Sequence, residues 1–169
     1  RLMNTGFVSN QYELCRDANE KVVIALHVKD NAGIKEHFHY CLEFIYMLDG
    51  KMQATVSGEQ YTLNKGQMLL VSCCEPHRIE YSDALHYVLM LPHKYFSSYS
   101  GVLAKKTFTP KYINDPSEGI LSILRLFESI SNKQEPFNKI DQKRLDGILK
   151  SLSNILLETV LSTTSLVDR

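Results

Sequence analysis

Two histidines one residue apart, His37 and His39, open the pattern His37-x-His39-x3-Glu43-x6-Gly50. Side chains along a strand alternate between faces, so a strand through this stretch turns His37, His39, Cys41 and Glu43 to one side. A further histidine, His77, follows Pro76 after a second extended stretch that begins at Gly66. If a barrel closes around these two stretches, three imidazoles and one carboxylate meet. That donor set suits zinc, iron, nickel or manganese and leaves positions open for a small ligand. The same four residues, with Tyr46, are the expected lining of a pocket for a small organic effector.

The elements that would carry these residues are short and extended. From Lys21 to about Pro92, β-branched and aromatic residues are enriched between turn signals. Strands are expected at Lys21–Val28, His37–Leu48, Lys51–Val56, Gln60–Leu63, Gln67–Ser72, Arg78–Tyr81 and His86–Leu91. Asp30 to Gly33, Ser57-Gly58-Glu59 and Asn64-Lys65-Gly66 read as turns, and Asp49-Gly50 as a tight hairpin. Many short strands at close spacing point to a small antiparallel barrel rather than a parallel α/β sheet.

After Pro110 the apolar residues recur at three- and four-residue spacing. Asp115-Pro116-Ser117-Glu118 combines a capping side chain, a proline at the first helical position and an acid in the first turn. The helix it starts should reach about Ile130 and bury Ile120, Ile123, Leu124 and Phe127. Past a polar linker, Asn138 can cap a longer helix ending near Ser162. One face of that helix carries Leu145, Ile148, Leu149, Leu152, Ile155 and Leu156, a stripe that one helix alone cannot hide. The expected organisation is a barrel over residues 1–110 and a helical region over residues 111–169.

Composition sets the outer limits. The 169 residues are 44% apolar and carry 19 basic and 19 acidic side chains, so no net field draws the chain to nucleic acid or an anionic membrane. The longest apolar runs are strand-length, far below the roughly 20 residues a membrane span needs. Neither a transmembrane helix nor a secretory leader is legible, and the expected compartment is the cytoplasm. The four cysteines, Cys15, Cys41, Cys73 and Cys74, lack the spacing of a disulfide framework or a zinc knuckle. Reduced thiols, mostly buried, are expected.

The histidine–glutamate pattern resembles the first cupin motif, and Gly66 to Pro76-His77 resembles a loosened second one. Only three residues separate Gly33 from His37, fewer than in the usual cupin motif, and the second motif lacks its usual glycine and asparagine. Taken with Glu43-Phe44-Ile45-Tyr46, Tyr61-Thr62-Leu63 and Lys65-Gly66-Gln67-Met68-Leu69-Leu70-Val71, the chain is similar, over about residues 20 to 165, to the sensing half of AraC-family transcription regulators. The resemblance implies a mainly β fold with C-terminal α structure: a cupin-like antiparallel barrel, or double-stranded β-helix, followed by a two-helix hairpin. It further implies a small-molecule effector in the barrel, such as a sugar or other polar metabolite. The helices would form a homodimer, and DNA would be reached only through a helix-turn-helix domain outside this chain. Residues Arg1 to Asn19 would be a signalling arm.

On this reading the chain is not an enzyme. The alternative is a metal-dependent cupin enzyme, a dioxygenase or isomerase, which the incomplete second motif disfavours. The plainest account of His37, His39, Glu43 and His77 is a polar cluster whose members satisfy one another without metal. For Tyr46 and Tyr87 it is ordinary core packing, for His27, His86 and His93 a surface or structural place, and for the helical stripe an intrachain core.

Overall fold

The computed structural model describes residues 11–12, 20–28, 33–114, 118–131 and 138–169. Its strands are β1 (Gln11–Tyr12), β2 (Val23–His27), β3 (Ile34–Phe38), β4 (Leu42–Val56), β5 (Glu59–Asn64), β6 (Gln67–Val71), β7 (His77–Leu91), β8 (Lys106–Thr109), β9 (Tyr112–Asn114) and β10 (Ser165–Asp168). Its helices are α1 (Ser100–Leu103), α2 (Glu118–Ser131) and α3 (Lys139–Leu161). An eight-stranded sheet runs β1-β3-β7-β4-β6-β9, with β2 also on β7 and β5 also on β4, while β8 and β10 form a separate antiparallel pair.

Two 15-residue strands, β4 and β7, pair with each other along their whole length and change their outer partners halfway. The first half of β4 pairs with β6 and its second half with β5. The start of β7 pairs with β3 and its end with β2. Each long strand therefore belongs to both walls, and the sheet closes into a mainly β antiparallel barrel.

This corrects two strand expectations. Asp49-Gly50 is no hairpin: β4 passes straight through it, with a bulge between Met47 and Asp49 opposite β7. Gly50 sits at φ +82°, and a Cβ there would lie 1.9 Å from the Asp83 carbonyl oxygen, so the glycine serves a bulge rather than a turn. The chain reverses instead at Ser57 and Gly58, both at positive φ. Likewise Arg78–Tyr81 and His86–Leu91 are parts of one strand, because the residues between them, Ser82 to Leu85, stay paired with β4.

Alternation along β4 and β7 sorts the core into two layers. Ile45, Met47, Met52, Ala54, Val56, Leu63, Val71, Val88 and Met90 form the barrel interior. Leu42, Phe44, Tyr46, Leu70, Tyr87 and Leu89 face outward, where they join Ile120, Ile123, Leu124 and Phe127 of α2 and Leu149, Leu156, Leu157 and Val160 of α3. The four α2 residues expected to be buried are the buried ones. Asn138 caps α3, its side chain accepting from the amides of Ile140 and Asp141. The expected helix start at residues 115–117, most of the linker, most of the expected arm and Cys15 lie outside the described residues, as does most of the turn at Asp30 to Gly33.

The helices form a hairpin, with α2 against β2 and α3 against the turn His93–Tyr95. One apolar cluster thus spans the boundary expected at residues 110 and 111, which falls between β8 and β9. After α3 the chain returns to the barrel, where β10 pairs with β8 from Ser165↔Thr109 to Asp168↔Lys106. No helix among the described residues is long and apolar enough to cross a membrane.

Candidate metal centre

The strand expected to carry the whole first motif is broken in two. His37 lies near the end of β3, His39 and Cys41 in the connection, and Glu43 near the start of β4. The turn brings the ligands closer than one flat strand would. His77, the first residue of β7, sits opposite His37 in the β3–β7 register. One candidate ligand atom from each of His37, His39, Glu43 and His77 falls within a group no wider than 4.8 Å. His39, Glu43 and His77 are buried and His37 is half-buried at the open side.

Hydrogen bonds fix the rings. His39 Nδ1 lies 3.1 Å from the Cys41 carbonyl, His77 Nδ1 2.8 Å from the Glu75 carbonyl and His37 Nδ1 2.8 Å from the Lys35 carbonyl. A carbonyl oxygen only accepts, so in all three rings Nδ1 carries the proton and donates. For His39 and His77 the other nitrogen, Nε2, lies 3.0 and 2.9 Å from the same Glu43 oxygen, Oε2. A neutral ring in this tautomer would aim a lone pair at a carboxylate, which repels. Each ring therefore either takes a second proton and donates it to Glu43, or turns its lone pair on a cation shared with the carboxylate. Backbone carbonyls holding Nδ1–H are the support that metal-bound histidines use.

The electrostatics agree with this arrangement. Burial alone would raise the Glu43 carboxyl, but the charge of His77 and the hydrogen bonds from both imidazoles hold it well below the usual carboxylate range. Glu43 is thus an anion in an otherwise apolar interior, facing nitrogen donors. Three imidazoles, one carboxylate and one exposed side fit a divalent transition metal.

A second buried acid supports the first, and the sequence reading missed it. Glu75 accepts from the Ser72 amide at 2.9 Å, from Ser57 Oγ at 3.2 Å and from Thr107 Oγ1 at 2.7 Å, and pairs with Lys111. Burial would raise its carboxyl, and the bonds from Lys111, Thr107 and Ser72 lower it instead. It ties the loop before β7 to the β4–β5 turn and to β8, and its carbonyl orients His77. The one available signal was an acid directly preceding Pro76-His77 at the end of an apolar run.

Other expected residues fall elsewhere. Tyr46 does not join the cluster: one step of alternation puts it in the layer that packs on the helices. Tyr87 lies in the same layer and donates to Glu128 at 3.2 Å. Cys41 is buried in the barrel interior. His86, expected at the surface or in a structural place, is buried and stacks on His27 across the β2–β7 rung with ring centroids 5.3 Å apart. Within the helical stripe, Leu149 and Leu156 are buried inside the chain, and Leu145 and Leu152 pack partly against them. Ile148 and Ile155 are each 50% exposed, and Ile140 is 63% exposed.

Residues 25–90 match the family profile described as Cupin domain. The barrel has the cupin fold. That span holds all four residues of the centre. Among solved structures, the AraC-like transcriptional activator CuxR is similar at 11% identity with a TM-score of 0.62, covering 86% of this chain and 54% of that one. The chain therefore spans about half the length of that activator. A cupin protein from Bacteroides fragilis is similar at 23% identity over 41% of this chain and 61% of its own, with a TM-score of 0.34. A deletion mutant of the Bacillus subtilis oxalate decarboxylase OxdC follows at 21% identity over 41% of this chain and 20% of its own, with a TM-score of 0.33. No curated protein matches the chain in sequence. At 11% identity, the likeness to the activator shows the fold alone.

Proposed function

We propose that this chain is the effector-binding and dimerisation module of an AraC-type transcription regulator, non-enzymatic in itself. The observation that carries the reading is that one regulator matches 86% of this chain, more than the barrel alone occupies. DNA contact, on this reading, belongs to a helix-turn-helix unit outside this chain. The dimer reading has its own support: Ile140, Ile148 and Ile155 form an exposed apolar face on α3, continuous with a shallow depression at Arg144, Gly147, Ser151 and Leu152. Isolated surface isoleucines are common, whereas several aligned on one helix mark a contact surface.

The chemistry of the interior narrows the effector. Apolar side chains line it, and its buried polar groups among the described residues are His39, Glu43, His77 and His86. A sugar needs partners for several hydroxyls, and this lining supplies few of them. The effector that suits it is a divalent cation at the centre, alone or with a small ligand completing its coordination. Zinc, iron, nickel and manganese all suit the donor set.

Sedimentation of the purified chain at micromolar concentration tests the module reading. A dimer that Ile148→Glu converts to a monomer supports it, and a monomeric wild type contradicts it. The second reading, a metal-dependent dioxygenase or isomerase, is favoured by the centre itself, whose half-exposed His37 leaves a side open to substrate. Oxygen uptake or isomerisation by the iron-loaded protein, abolished by His39→Ala, would put that reading first.

A further inference from the structure

The loop from Ser72 to Pro76 touches the centre on one side and β10 on the other. Towards the centre, the Glu75 carbonyl accepts from His77 Nδ1 at 2.8 Å, and the Cys74 amide donates to the His39 carbonyl at 2.8 Å. Two of the four ligands thus lean on five residues of loop. Away from the centre, the Arg169 guanidinium reaches into the same loop. Its Nη2 donates to the Cys73 carbonyl, to Ser72 Oγ at 3.4 Å and to the Leu103 carbonyl at 3.1 Å. The Arg169 amide also donates to the Lys105 carbonyl at 3.2 Å, extending the β8–β10 pairing by one step.

Inside the loop the connection is rigid. The Glu75 carboxylate takes the Ser72 amide on one oxygen and Thr107 and Lys111 on the other, so β8, the loop and the ligand His77 share one anchor. Ser72 Oγ in turn donates to the Lys106 carbonyl of β8 at 3.2 Å. β10 pairs with β8 along four residues, and only three residues separate it from the end of α3 at Leu161. Displacing the loop at His77 therefore disturbs the seat of Arg169, and releasing Arg169 loosens the loop that aims His77.

We propose that the metal centre and the docking of β10 are thermodynamically linked. A divalent cation bound by His37, His39, Glu43 and His77 tightens β10 and Arg169 against the loop, and their docking raises the affinity for the cation. The inference rests on reading the cluster as a cation site, and it adds an output: the strand that follows α3. Linkage requires reciprocity, so one coupling factor governs both directions.

Cobalt(II) is the probe, because its visible absorption reports the ligands directly. The wild type is titrated first, and hydrogen exchange of the 163–169 segment is then measured with and without cobalt. Exchange in that segment is expected to slow several-fold on binding, and Arg169→Ala is expected to weaken cobalt binding by about 5-fold or more. Cobalt binding to the wild type with unchanged exchange of 163–169 overturns the linkage while leaving the cation site standing. Equal cobalt affinity in a folded Arg169→Ala protein also overturns it. If that variant does not fold, the wild-type exchange decides alone. Failure of cobalt to bind the wild type overturns the cation reading and the linkage with it.

Discussion

Two regions of this molecule invert the usual placement of side chains, in opposite senses. At one end of the barrel, an anionic Glu43 and two imidazoles are buried among methionines and aliphatic side chains. On the outer face of α3, three isoleucines stand in solvent. The first costs free energy because charge is taken from water, and the second because apolar surface is left in it. Only the first is compensated within the chain, by a tight set of hydrogen bonds at 2.8 to 3.1 Å. The contrast shows how differently the two sites are prepared: the centre is held in shape before its ligand arrives, whereas the helix face is only a surface that a second body can cover.

The largest expected effect lies beneath the centre. Glu75→Ala leaves the half-buried Lys111 ammonium and the Ser72 and Thr107 donors without their carboxylate, and breaking such a pair costs up to about 3–5 kcal/mol, the value for a fully buried one. Urea unfolding measures this, and a loss below about 1 kcal/mol would mean that the loop is not anchored through Glu75. Next in size is the inward face of α3, where Leu156 is fully buried. Leu156→Ala should cost about 2–5 kcal/mol of stability. Ile148→Ala, one face away, should change monomer stability by no more than about 0.5 kcal/mol, yet shift the sedimentation equilibrium towards monomer. Equal losses at the two positions would erase the distinction between core and contact surface.

The smallest effect concerns pH. Burial lowers the His86 imidazole below its usual value, with the neighbouring His27 acting in the same direction and the Ala84 carbonyl and Glu43 opposing it. A base whose folded value is depressed keeps its full contribution above the unfolded value near about 6.5 and loses it as pH falls towards the folded value. Wild-type stability should therefore decline as pH drops below the ordinary histidine range. His86→Gln should flatten part of that decline, and an unchanged slope would remove His86 from the account.

The sequence made the barrel, the cap at Asn138 and the buried face of α2 legible because each rests on local chemistry: alternation, a capping side chain, a four-residue period. The motif residues were also legible, since His37, His39, Glu43 and His77 do converge. The path between them was not. Alternation along one strand assumes that the strand continues, and the chain instead turns between Phe38 and Leu42. The same assumption in reverse turned Asp49-Gly50 into a hairpin, because a glycine at positive φ serves a bulge as well as a turn. Tyr46 misses the pocket because it alternates from Glu43 and Ile45 along β4 and faces the helices. Glu75 and Arg169 escaped because their partners come from Ser57, Thr107, Lys111, Cys73 and Leu103, contacts that exist only once the barrel has closed. The helical stripe was read as a single surface, and packing divides it.

The central claim, that the cluster is a cation site, is tested most directly by equilibrium dialysis of the chain against zinc, with a His39→Gln, His77→Gln double variant in parallel. The account predicts one zinc per chain for the wild type and none at this site for the variant, with both proteins folded by circular dichroism. Equal zinc in the two proteins, or none in the wild type, would contradict it and leave a self-satisfied polar cluster in its place.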